Sequence, residues 1–127
     1  MSGFLSKTPP PIMLGGMSSN DQDGAWGINC TANMTARGTT ISSVGTPIVT
    51  RQDGVAIGSG DLTVSGAAVL SVAAEINGVL VQPGYGFKYT ATTHGNVAVY
   101  LVGFPLTLAS GDVITRWCNI PSLPTVG

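Results

Sequence analysis

The sequence predicts an all-β protein, a single antiparallel β-sandwich preceded by an extended arm. Short runs of alternating apolar and polar residues recur at about 8–12-residue spacing, separated by Gly, Pro, Asn and Asp. Gly or Pro interrupts most stretches that are long enough for a helix. One uninterrupted stretch, Ala67–Ile76, alternates with a period of two residues, which is typical of a strand.

Residues 1–24 predict an extended N-terminal arm, which leaves residues 25–127 as the sandwich domain. Pro9–Pro11 hold the chain extended, while Gly15-Gly16 and the polar residues that follow loosen it. A passive terminal segment would lack large apolar side chains, yet this arm carries six of them. They are Phe4, Leu5, Ile12, Met13, Leu14 and Met17. We expect them to dock on a neighbouring subunit, with a loose terminus as the alternative.

Four strands are predicted in the first half of the domain: Trp26–Thr31, Thr39–Val44, Pro47–Arg51 and Val55–Ile57. Asp53-Gly54 predicts the turn that joins the last two, because Asp stabilises tight turns and Gly accepts positive φ. The alternation then resumes from Leu62 to Ile76.

The second half contains the clearest hairpin signal. Asn77-Gly78 favours a two-residue turn, so Leu80 and Val81 should begin a return strand. Tyr85–Thr93 alternates strictly, and His94-Gly95-Asn96 predicts a turn that pairs it with Val97–Gly103 as a second hairpin. The last predicted strand is Val113–Cys118, closed by the prolines that follow. This strand count suits an immunoglobulin-like or a jelly-roll-like sandwich.

The charge content indicates a protein that is covered by other protein. Only 9% of residues are Asp, Glu, Lys or Arg, against about 25% in an average soluble domain. Charge keeps soluble proteins apart, so burial in an assembly explains the composition most simply. Both faces of the run from Val97 to Val102 are apolar, which predicts a strand that is central or covered by a partner. We therefore expect a homo-oligomer or a larger assembly.

Three partner classes are not expected. The five basic residues are scattered, whereas nucleic-acid binding needs several cations on one face. No apolar run reaches the roughly 20 residues of a membrane-spanning helix. The N-terminus lacks the uninterrupted apolar core of an export signal, which predicts synthesis in the cytoplasm.

No convergent catalytic or metal-binding pattern is present, so we expect neither an enzyme nor a cofactor. The single histidine, His94, lies beside a Gly in an apparent turn, where its ring would be solvated. Asp21 and Asp23 alternate like the start of a calcium loop, but the distal Glu is missing. Cys30 and Cys118 are too far apart for a redox or zinc motif and predict two buried thiols, with a disulfide as the alternative.

One aromatic stripe could bind a ligand. Tyr85, Phe87 and Tyr89 share a face of one predicted strand. Such a stripe is usually core, but on an exposed sheet it stacks sugars. A carbohydrate- or receptor-binding module is therefore the alternative function.

Two segments carry a family resemblance. Gly84–Gly95, followed by Leu106-Thr107-Leu108, resembles the last hairpin of small immunoglobulin-like virion proteins of tailed bacteriophages. In that family an Arg usually follows the glycine of the hairpin turn, whereas here Asn96 follows Gly95. Trp26 followed by Gly38–Ser43 is similar to the opening of the fibre-to-tail adaptor group. Capsid decoration (cement) proteins share the same profile.

The resemblance implies a non-enzymatic structural protein of the virion, made in the host cytoplasm and acting as an adaptor or a cement subunit. Its implied partners are other virion proteins of the capsid or tail and further copies of itself, with no nucleic acid or membrane contact.

Overall fold

Two β-sheets packed against each other form the body of the protein, as the sequence predicts, and a separate two-stranded hairpin adds a third, small sheet. The structure is a computed structural model that describes residues 12–13, 17–18 and 23–123. In chain order its elements are β1 (Ile12–Met13), β2 (Met17–Ser18), β3 (Asp23–Asn29), α1 (Thr31–Arg37), β4 (Ile41–Val44), β5 (Ile48–Arg51), β6 (Thr63–Val69), β7 (Ala74–Ile76), β8 (Val79–Val81), β9 (Gly86–Thr92), β10 (Ala98–Leu108) and β11 (Val113–Leu123).

The larger sheet is organised around β10 and β11, which pair antiparallel along almost their whole length. On the other side of β10 lie β5 and β4, one beside each half of the strand. The two short arm strands β1 and β2 run parallel to β11 along its free edge. The smaller sheet has the order β3-β9-β6 and is antiparallel.

Aromatic side chains join the two sheets. Phe104 of β10 contacts Phe87 and Tyr89 of β9, with ring centroids 4.9 and 4.8 Å apart. All three rings are at most 2% exposed. Every second residue of β10 from Tyr100 to Leu108 is likewise buried, because side chains of a strand alternate between its two faces.

The hairpin of β7 and β8 packs on the outer side of the smaller sheet. A Cβ atom on Gly27 would come within 2.9 Å of the Ile76 side chain, and one on Gly86 within 2.8 Å of Val81. These two glycines therefore let the hairpin approach the sheet closely. Asn77 and Gly78 form its turn with φ of 52° and 79°, which confirms the predicted two-residue hairpin.

The second predicted hairpin is wrong. β9 pairs with β3 and β6, whereas β10 pairs in the other sheet, so residues 93–97 cross between the sheets. Gly95, with φ of 111°, does reverse the chain, but the reversal forms an arch over the end of the sandwich. Strand partners are chosen by long-range pairing, which a local turn signal does not encode.

Three other strand predictions need correction. Val55–Ile57 lies in a loop after the Asp53-Gly54 turn, with both Val55 and Ile57 exposed. The alternating run Ala67–Ile76 is broken between β6 and β7. The last strand extends through Pro121 to Leu123 instead of ending at Cys118.

Pro121 is tolerated inside β11 because its missing N–H is not needed there. It lies opposite Val99, whose carbonyl accepts a hydrogen bond from Gln52 N at 2.9 Å and therefore faces β5. A pair with this orientation exchanges no hydrogen bonds between β10 and β11. The proline consequently costs that ladder nothing.

The short helix α1 was not predicted. Met34 is fully buried and anchors it, and Gly38 ends it with φ of 66° while donating to Thr35 O. Asn29 Oδ1 accepts from Thr31 N at 3.0 Å at its start. The run from Ile28 to Arg37 contains no Gly or Pro and precedes a Gly, which was the available signal.

Candidate interaction surface

The outward side of the larger sheet carries a group of apolar side chains. Residues on β10 and β11 that alternate with the buried core residues, together with their neighbour on β5, point away from the smaller sheet. The polar residues Thr50, Thr107, Thr115 and Asn119 lie on the same side. We call six of its apolar residues the outer apolar face: Ile48, Val99, Leu101, Pro105, Val113 and Trp117. Ile48 is 46% exposed and Val113 66% exposed, while the other four are half-buried.

Trp117 forms the centre of this face. It lies directly opposite Gly103, which in turn lies opposite Ile48 on the other side of β10. A Cβ atom on Gly103 would sit 2.6 Å from the Trp117 ring, so the indole covers the glycine backbone. The result is an aromatic platform next to an exposed isoleucine.

Charge is absent from this side of the sheet. The residues that β4, β5, β10 and β11 place there, so far as the structure describes their side chains, are all uncharged. Arg51 and Arg116 belong to the same sheet but lie opposite Tyr100 and Phe104, on the core side. A surface with these properties is typical of a site that binds protein.

The smaller sheet shows the opposite pattern. Its outward positions on β6 and β9 are Thr63, Ser65, Ala68, Lys88, Thr90 and Thr92. Thr, Ser and the single charged residue Lys88 solvate this side. The two sheets therefore differ in chemistry on their outward sides. The run from Val97 to Val102 is apolar on both faces because one face lies in the core and the other belongs to the outer apolar face.

One buried acceptor on the outer apolar side lacks a donor. Asn119 lies beside Leu101, and its Oδ1 is buried with no hydrogen-bond partner among the described residues. An unpaired buried acceptor costs about 1–3 kcal/mol.

The arm residues are placed only in part. The backbone of Ile12–Met13 pairs with Cys118–Asn119, and that of Met17–Ser18 with Ser122–Leu123, all within the same chain. Their side chains, and Phe4, Leu5 and Leu14 altogether, lie outside the described residues. Docking of the six apolar arm residues stays a prediction.

The aromatic stripe is divided by the structure. Phe87 and Tyr89 are core residues with at most 2% exposure, so neither can stack a sugar. Tyr85 is half-buried and lines a shallow depression of about 460 Å³. Its other lining residues are Gly38, Thr39, Thr40, Ala109 and Ser110. One tyrosine beside small residues is a weak basis for carbohydrate binding.

A buried carboxylate, Asp61, is the centre of a polar cluster that the sequence did not indicate. Its Oδ1 accepts from Tyr100 OH at 2.7 Å, Asn96 Nδ2 at 3.0 Å and Arg51 at 3.1 Å, and its Oδ2 from Gly58 N at 2.8 Å. Hydrogen bonds from Asn96 foremost, then Gly58, Tyr100 and Arg51, outweigh desolvation and lower the pKa of Asp61 to about 2.

The Asp61 cluster holds the fold together. It joins the end of β5, the loop before β6, the 93–97 arch and β10. All four donors converge on one carboxylate, so its acceptor capacity is used within the chain. The sequence had indicated only that Asp61 follows a Gly in a turn.

The two cysteines are free thiols in the core, as the primary prediction stated. Burial raises the pKa of Cys30 to about 11 and that of Cys118 to about 12. Such thiols are unreactive at neutral pH. His94 lies on the arch rather than in a hairpin turn, 3.0 Å from Thr63 Oγ1. Asp23 begins β3, and Asp21 lies outside the described residues.

Comparison with known protein families and with curated proteins finds no match. No helix in the described part of the chain is long and apolar enough to cross a membrane. The proposals below therefore depend on the chain's own residues and on the resemblance noted in its sequence.

Proposed function

We propose that the protein is a non-enzymatic structural subunit of a tailed-bacteriophage virion, an adaptor or a cement protein that acts through protein–protein contacts. The observation that supports it best is the outer apolar face, which carries no charge and centres on a half-buried tryptophan. Aromatic residues are enriched and charged residues depleted in the cores of protein interfaces. The resemblance of Gly84–Gly95 to virion proteins supplies the biological setting.

A second feature supports assembly. Among the residues whose side chains the structure describes, eight large apolar ones are at least 43% exposed, and they are distributed over several elements: Ile48, Val55, Ile57, Val72, Val79, Leu80, Val97 and Val113. Single exposed apolar residues are normal in soluble proteins. Their combination with so few charges fits a subunit that contacts neighbours on more than one side.

The experiment measures incorporation into particles. A phage whose own copy carries Val113→Lys is compared with one that carries Val72→Lys. The two valines are 66% and 70% exposed, and only Val113 belongs to the outer apolar face. We expect the Val113→Lys particles to contain fewer copies of the chain, because a buried ammonium without a partner is costly.

Two results would contradict the proposal. One is absence of the chain from purified particles, with its coding sequence lying away from terminase, portal and tail genes. The other is equal incorporation of both variants at the wild-type level.

A further inference from the structure

The arm enters the sheet at a defined point and in a defined direction. Ile12 lies beside Cys118, and β1 runs parallel to β11. Tracing the chain backwards from Ile12 therefore leads along β11 towards its first residue, Val113. This is the edge of the sheet that carries the outer apolar face.

The length of the preceding segment takes it beyond its own sheet. From Cys118 back to Val113 is five residues, or about 17 Å of strand. From Ile12 back to Phe4 is eight residues, which span about 25 Å if the whole segment is as extended as polyproline. Phe4 and Leu5 would then lie about 8 Å past the end of β11.

A return to the same copy would need a reversal between Phe4 and Pro9. Of the intervening residues Leu5, Ser6, Lys7 and Thr8, only Ser6 and Thr8 favour a tight turn, and they do so more weakly than Gly, Asn or Asp. The segment continues outward more readily than it folds back. It carries a single charged side chain, Lys7, so it matches an uncharged apolar face in chemistry.

We infer that the outer apolar face of one copy is covered by residues 1–6 of a neighbouring copy, with Phe4 and Leu5 as its apolar anchors. This inference deepens the proposed function and rests on it, since it names the partner of the face. Phe4 and Leu5 supply apolar area next to the Trp117 platform.

The test is disulfide trapping between full-length chains. One chain, with a first tag, carries Ser6→Cys, which leaves Phe4 and Leu5 intact. The second, with a different tag, carries Thr115→Cys, a near-isosteric change between Val113 and Trp117 on the face. Ser65→Cys, exposed on the outward side of the smaller sheet, is the matched control. Native Cys30 and Cys118 are buried, so mild oxidation reports the introduced thiols.

We expect a doubly tagged dimer when the Ser6→Cys chain is mixed with the Thr115→Cys chain. We expect no such dimer when it is mixed with the Ser65→Cys chain. Adding Phe4→Ser and Leu5→Ser to the Ser6→Cys chain should also abolish it. A cross-link that forms only within a chain carrying both cysteines would overturn the inference, as would equal cross-linking to the control.

The inference can fail separately from the proposed function. If Val113→Lys weakens assembly but no dimer is trapped, the face binds something other than this segment, and only the inference is overturned. If Val113→Lys assembles as well as the wild type, the proposed function itself is overturned.

Discussion

At the scale of single residues, the most informative one is Asp61, because a charged group with 2% exposure needs full compensation. Two of its four donors, Asn96 and Tyr100, are 35 and 39 residues away in the chain, and neither pairing is visible in the sequence. What the sequence could show was a Gly-Asp turn. The identity of the donors depends on the arch at residues 93–97, whose path was predicted incorrectly.

We predict that Asp61→Asn lowers the free energy of unfolding by about 1.5–3 kcal/mol at pH 7, the range for hydrogen bonds to a charged group. Chemical denaturation measures this change. Asp112→Asn in the exposed turn before β11 is the matched control and should have little effect. A melting temperature equal for both variants would show that the cluster does not stabilise the fold.

The pH dependence of stability follows from the same group. The pKa of Asp61 is lowered from 3.8 to about 2 on folding, so the unfolded chain binds its proton first as the pH falls. The contribution of Asp61 is therefore complete above about pH 5 and is lost as the pH falls towards 2. The difference in free energy of unfolding between wild type and Asp61→Asn should therefore become smaller as the pH falls from about 5 towards 2. A difference that is constant from pH 6 to pH 2 would contradict this assignment.

Gly103 is the second informative residue, because the Trp117 ring covers it. We predict that Gly103→Ala costs about 1–3 kcal/mol, since the new Cβ would overlap the indole. Gly58→Ala is the control, because its Cβ would meet nothing closer than 4.0 Å. Thermal unfolding and tryptophan fluorescence measure the effect. If Gly103→Ala is as stable as the wild type and its tryptophan fluorescence spectrum is unchanged, the Trp117 ring does not lie over Gly103.

At the scale of elements, local signals predicted local structure. Asn77-Gly78 forms the predicted turn because positive φ at both positions is a property of the two residues themselves. The alternation in β9 was predicted correctly because its buried face is set by the spacing of Phe87, Tyr89 and Ala91. The partners of β9 could not be predicted, since strands far away in sequence compete for each edge.

The hairpin gives a test at this scale. Gly78→Val places a β-branched residue at φ of 79°, which should destabilise the protein by about 1–3 kcal/mol. Asn77→Gly keeps the required φ and is the control. The melting temperature is the measurement. If Gly78→Val has the same melting temperature as the wild type, the hairpin contributes little to the stability of the cooperative fold.

At the scale of the whole molecule, the two outward sides of the sandwich differ. The composition predicted that an uncharged surface would exist, but it could not say which sheet carries it. That assignment needed the register of β10 with β5 and β11, which places Ile48, Gly103 and Trp117 in one row. The all-β fold was therefore predictable from the sequence, whereas the candidate surface was not.

The central claim is that the protein assembles through its outer apolar face, and sedimentation velocity tests it most directly. Wild type, Val113→Lys and Val72→Lys are compared over a range of concentrations. We predict that wild type and Val72→Lys sediment as species larger than the 12.9 kDa chain, while Val113→Lys associates about tenfold more weakly or worse. A wild-type chain that remains a well-folded monomer at high concentration would contradict the account, and so would equal association of the two lysine variants.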